Sequence, residues 1–121
     1  MSEFRVAFTA NDYDATVGFF TDTMGLEILR SFEDGGKGTI LWAADGQIEV
    51  FSPDSGRGSP GVTGVMLAWQ IDDADAENAR LIERGASVSG PPVMQPWGHK
   101  SFGVDGPDGW SITLYEVVTP Q

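Results

Sequence analysis

Two stretches of this chain follow one pattern, and that pattern constrains the fold more than any single motif does. An apolar strand runs into an Asp that opens a helix, the helix stops at Gly, and an Asp-Gly turn later feeds an alternating strand. The first copy reads Ala7-Phe8-Thr9-Ala10-Asn11-Asp12-Tyr13-Asp14-Ala15, then Met24-Gly25-Leu26, then Asp45-Gly46-Gln47-Ile48-Glu49-Val50-Phe51. The second reads Ala68-Trp69-Gln70-Ile71-Asp72-Asp73-Ala74-Asp75-Ala76, then Arg84-Gly85-Ala86, then Asp108-Gly109-Trp110-Ser111-Ile112-Thr113-Leu114-Tyr115. Asp12 and Asp73 stand 61 residues apart, and that offset holds across the whole strand-to-helix stretch. A repeat of this size is one supersecondary unit that cannot bury its apolar face alone. Two such units are expected to pair and to enclose a cleft.

Local signals fill in each copy. Residues 4–10 alternate as a half-buried strand. Asp12 is placed to cap a helix whose Val17, Phe20 and Met24 recur at helical spacing, with Gly25 ending it. Leu26–Phe32 and Gly38–Ala43 read as strands around Asp34-Gly35-Gly36, and Gln47–Phe51 alternates after Asp45-Gly46, a hairpin signal. After a stretch rich in Pro, Gly and Ser the cycle restarts. Val65–Ile71 predicts a strand and Asp72–Arg84 a helix with an acidic first turn, which suits the helix dipole. Strands are expected near Ala86–Ser89, Lys100–Val104 and Trp110–Val117. Each copy is therefore β-α-β-β-β, and the fold class is α+β with helices on one side of largely antiparallel sheets. The expected organisation is a single domain, 1–121, made of a first module at 1–52, a linker at 53–61 and a second module at 62–121.

Composition removes several function classes. There is no cysteine, so disulfides, thiolate metal sites and thiol nucleophiles are excluded. A net charge of −11 would repel nucleic-acid phosphates. No apolar run approaches the roughly 20 residues that span a bilayer, and no leader pattern opens the sequence. A cytoplasmic protein without nucleic-acid or membrane partners is the expectation.

Alternation assigns two faces. Phe8, Ile48, Val50, Leu67, Trp69, Ile112 and Leu114 belong to the helix-packed side. Arg5, Ala7, Thr9, Gln47, Glu49, Phe51, Met66, Ala68, Gln70, Ser111, Thr113 and Tyr115 belong to the other. That second set is too polar for a dry core and too aromatic for plain surface, which suits a ligand site. His99, the only histidine, falls on the same side as Ser101 and is a candidate general base. Trp97, between Pro96 and Gly98, is the candidate stacking surface for a planar or cationic ligand. Trp69 reads as core, while Trp42 and Trp110 suit either purpose.

The doubled unit resembles the vicinal oxygen chelate superfamily, which includes glyoxalase I, extradiol dioxygenases, and fosfomycin- and bleomycin-resistance proteins. The residues that carry the resemblance are Asp12-Tyr13-Asp14-Ala15, Phe19-Phe20, Met24-Gly25-Leu26 and the tail Gly98…Phe102…Asp105-Gly106-Pro107-Asp108-Gly109…Tyr115-Glu116. The tail is similar to the family's Asp-Pro-Asp-Gly turn, here with Gly106 inserted.

Enzymes of that family hold a divalent metal on their first, fourth, fifth and eighth strands through His and Glu. By position the resemblance places Arg5, Glu49, Met66 and Thr113 there. Arg has no lone pair for a cation, Met is a soft thioether, and Thr is a weak neutral ligand. One carboxylate among four predicts no metal and no cofactor. An Arg5–Glu49 ion pair is a candidate for the metal's place, the alternative being an Arg5 solvated at the open start of the first strand.

The resemblance thus implies a metal-free binding protein of the bleomycin-resistance type. It would be a homodimer sequestering an antibiotic or other natural product, with a cationic or aromatic ligand favoured. Its expected lining is Arg5, Glu49, Phe51, Met66, Trp97, His99, Ser101, Thr113 and Tyr115. The alternatives are a metal-free isomerase or lyase using Glu49 or His99 as base, and a metal-dependent lyase or dioxygenase drawing on Glu49, His99 and Asp105.

Overall fold

The computed structural model describes residues 2–119. In chain order the elements are β1 (Arg5–Thr9), α1 (Tyr13–Gly18) continued by a π-helical turn (Phe19–Thr23), β2 (Ile28–Glu33), β3 (Lys37–Ala43), β4 (Gly46–Phe51), a 3-10 turn (Pro53–Ser55), β5 (Met66–Gln70), α2 (Ala74–Glu83), β6 (Ser87–Val88), β7 (Val93–Met94), β8 (His99–Asp105), a second 3-10 turn (Pro107–Gly109) and β9 (Ser111–Val117). The α+β expectation holds: there are two sheets, ordered β1-β4-β3-β2 and β5-β9-β8-β6, with β7 also paired to β8.

The chain forms two compact units. The first comprises 1–63 together with 107–109, and the second 64–106 with 110–121. In the first, β1 runs parallel to β4 while β3 is antiparallel to both β2 and β4. Asp12 caps α1 as its sequence position predicts, its Oδ1 accepting the Ala15 N–H at 3.1 Å. The helix then widens: the Met24 N–H reaches the Phe19 carbonyl five residues back, and the Leu26 N–H reaches that of Phe20. The second of these bonds closes the helix through Gly25 at φ 76°, a left-handed position that Gly adopts without steric cost. Phe20 and Met24 are buried with Phe8, Leu41, Ile48 and Val50, and α1 packs on β4. Ile48 and Val50 alternate with Gln47, Glu49 and Phe51, so the register puts the latter three on the face away from the helix.

The second unit repeats the plan. Asp73 caps α2 through the Ala76 N–H at 3.0 Å, and the Ala74 N–H is taken by Glu116 Oε1 of β9 at 2.9 Å. Leu81 is buried with Phe102, Val104, Ile112 and Leu114. Lys100 of β8 pairs with Asp75 in the first turn of α2, which raises the Lys100 pKa above the ordinary lysine value.

Several boundaries move. The second helix starts at Ala74 rather than Asp72, because Asp73 acts as its cap in extended backbone. The strand expected at 26–32 runs from Ile28 to Glu33, since Leu26 is still closing the helix. The two-residue strand β7 had no sequence signal, and it shifts the family's eighth-strand position, Thr113, onto β9. Trp110 is core, at 3% exposure, and Trp69 is only half-buried.

Candidate functional site

The polar centre of the first unit sits at the open end of β1. Arg5 pairs with Gln47 in the parallel ladder, and Glu49 lies one same-face step further along β4. The guanidinium is held on three sides. Its Nε donates to Gln47 Oε1 at 3.0 Å, Nη1 meets Glu49 Oε1 at 3.5 Å, and Nη2 lies 3.6 Å from Glu3 Oε2. Gln47 Nε2 in turn donates to Glu3 Oε1 at 3.0 Å. The Glu49 side chain is only 12% exposed and that of Arg5 31%. A carboxylate this buried needs a positive partner, because desolvation otherwise penalises its charge heavily. The candidate ion pair between these two residues is present. Gln47 and Glu3, which complete it, lie outside the expected lining; alternation places Gln47 on the polar face, but its burial there follows from the packed sheet.

Phe51, two residues beyond Glu49, shares this face and is itself covered. Its ring meets Phe32 edge-on at 6.3 Å between centroids, and the Arg57 guanidinium lies 5.0 Å over it. At 8% exposure it is not an open lining residue.

The second unit brings together Trp97, His99, Ser101 and Tyr115. The His99 ring stacks on Tyr115 at 4.6 Å between centroids and 9° between planes, and Trp97 meets His99 edge-on at 6.5 Å. Ser101 and Tyr115 are direct ladder partners, and Ser101 Oγ accepts the Gln95 side-chain N–H at 3.2 Å. Trp97 is 53% exposed, so one large aromatic surface faces outward beside the stack. Met66 and Thr113 lie elsewhere on that sheet. Met66 pairs with Ser111 at the opposite end from Tyr115, is 75% exposed, and is separated from the aromatic group by the Ala68–Thr113 rung.

The donor set does not fit a divalent metal. Of the residues expected at metal positions, Arg5 is a cation that pairs with Glu49, Met66 is a soft thioether and Thr113 a weak neutral hydroxyl. The displaced set fares no better: His99 and Asp105 open and close β8, six residues apart. At about 3.3 Å per residue they lie roughly 20 Å from each other and cannot share an ion. Among the described residues no three His, Asp or Glu side chains gather as a metal-binding group.

A β-α-β-β-β unit and a second of the same plan with the short strand β7 added, each with a parallel strand pair and a capped helix, define a vicinal oxygen chelate fold. Residues 4–114 match the Glyoxalase/Bleomycin resistance protein/Dioxygenase superfamily, and the chain belongs to that family. Among solved structures it is similar to TnmS3, an antibiotic binding protein from Streptomyces sp. CB03234. That similarity is 26% identity over 97% of this chain and 96% of TnmS3, with a TM-score of 0.76. TioX from Micromonospora sp. ML1 matches at 19% identity over 97% of this chain and 99% of its own, TM-score 0.79. A lactoylglutathione lyase from Agrobacterium tumefaciens matches at 20% identity over 95% and 92%, TM-score 0.73. The last two likenesses speak for the fold alone. No curated protein sequence matches the chain.

Proposed function

We propose that this chain is a metal-independent binder of a small organic molecule, and that it works as a homodimer. The observation that carries the reading is the ion pair of Arg5 with Glu49. Arg5 stands where metal-using relatives would place a ligand, and its guanidinium supplies fixed positive charge beside the one remaining carboxylate. The exposed Trp97 with the His99–Tyr115 stack adds a surface suited to a planar aromatic ring. The likeness to an antibiotic binding protein at 26% identity supports a natural product as ligand. Fold alone would not, because this fold serves binding proteins and lyases alike.

The reading is tested by thermal shift with Mg, Mn, Fe(II), Ni and Zn, followed by tryptophan-fluorescence screening of planar natural products. Binding with the compound recovered intact and no stabilisation by any ion supports it. Stoichiometric metal uptake, or a converted compound, would overturn it. Conversion without metal would instead point to Glu49 or His99 as base. Sedimentation of the purified chain checks the dimer.

A further inference from the structure

The polar face of the first sheet already holds two cationic groups from the chain itself. Arg5 lies against Glu49, and Arg57 lies over Phe51. Glu49 and Phe51 are two apart on β4, so carboxylate and ring lie on the same face of the strand. The Arg5 contact leaves Glu49 unsaturated. An ionised carboxylate offers about four acceptor sites, and among the described residues Glu49 uses one oxygen in a single contact at 3.5 Å.

Arg57 reaches the ring from a loop position between two glycines. The residues before it are fixed: Ser52 Oγ accepts the Lys37 N–H at 2.8 Å, and the Ser55 N–H bonds the Ser52 carbonyl at 3.0 Å. Ser55 also packs so closely on Gly36 that a Cβ there would come within 2.7 Å of the Ser55 Cα. Arg57 itself is exposed and is bracketed by Gly56 at φ 71° and Gly58 at φ 138°, conformations that other residues seldom adopt. Its backbone N–H makes one long bond, 3.3 Å, to Ser55 Oγ.

We infer that the Glu49–Phe51 surface is a site for a cationic group on the ligand, and that Arg57 is an internal stand-in which such a group displaces. This rests on the small-molecule-binding reading and narrows it to ligands bearing an ammonium or comparable cation. The ring face and the free carboxylate oxygen both attract positive charge. Release of Arg57 frees a long side chain from its place over the ring, so the exchange recovers rotamer entropy. Anionic ligands gain neither contact.

The test titrates benzyltrimethylammonium, benzyl alcohol and benzoate into the 15N-labelled full chain and follows the backbone amides of Glu49, Phe51 and Arg57. The cation is expected to move these signals, and benzoate is not. Arg57→Ala should bind the cation about two- to fivefold tighter, the size of an exposed cation–π contact. Glu49→Gln should bind it about tenfold weaker, and its amide spectrum shows directly whether the fold is kept. Tighter binding of benzoate than of the cation at these amides would overturn the cation assignment while leaving a small-molecule site. Unchanged or weaker cation binding by Arg57→Ala would overturn the stand-in. If no probe moved any amide in the wild type or in either variant, the cation site would fall, and the fluorescence screen of planar natural products would decide the small-molecule reading separately.

Discussion

Asp108 grips Asn11 twice. Its Oδ1 accepts both the backbone and the side-chain N–H of Asn11 at 2.8 Å, and its Oδ2 takes the Thr16 hydroxyl at 2.6 Å. Its carbonyl accepts the Val62 N–H at 2.7 Å, so the turn between β8 and β9 is bound to residues just before β5 and around α1. Asp108 holds φ 63°, where Asp is among the few tolerated side chains. Asp108→Ala loses three hydrogen bonds to a charged acceptor and keeps the strained backbone. It is expected to destabilise the chain by about 2–4 kcal/mol, read from urea unfolding. A change below about 0.5 kcal/mol would show that the turn is held by its backbone alone.

Removing Arg5 leaves Glu49 buried without its positive partner. Arg5→Ala should cost about 1–3 kcal/mol, and adding Glu49→Gln should recover part of it, because the stranded charge is gone. A double-mutant cycle in urea measures the coupling. Additive losses would mean that the 3.5 Å contact carries no energy.

Trp97 is exposed and Tyr115 half-buried, so their substitutions separate binding from folding. Trp97→Ala should leave stability within about 0.5 kcal/mol while weakening any planar aromatic ligand found by screening. Tyr115→Leu removes the partner of His99 and should lower both stability and binding. Full-strength binding by both variants would dismiss the aromatic platform.

Lys100 reports on α2 through pH. Its hydrogen bond to Asp75 raises its pKa, with burial opposing, so the folded state holds the proton more tightly than the unfolded chain does. That contribution is complete below the ordinary lysine value of about 10.4 and disappears as pH rises through the raised folded value. The Tm difference between the wild type and Lys100→Met should therefore stay level from neutral pH to about 10 and shrink above it. A difference that grows with pH would contradict the pairing.

The repeat, the Asp12 cap, the glycines that end both helices and the strand alternation were legible in the sequence because each depends on neighbours a few residues away, whereas the second helix was expected to begin at Asp72, one residue before its cap. Asp12, Asp73, Gly25 and Gly85 mark the helix ends by chemistry that needs no tertiary context, and period-2 alternation placed Glu49 and Tyr115 on the polar faces of their sheets. That Arg5 has no lone pair to offer a cation was also legible, because donor type is a property of the residue. What surrounds each side chain was not legible. Gln47 joining Arg5 and Asp108 reaching Asn11 bring together residues far apart in sequence, and Arg57 settling over Phe51 depends on how the intervening loop folds back. Such contacts follow from strand register and chain crossing, which are fixed only when the apolar faces pack.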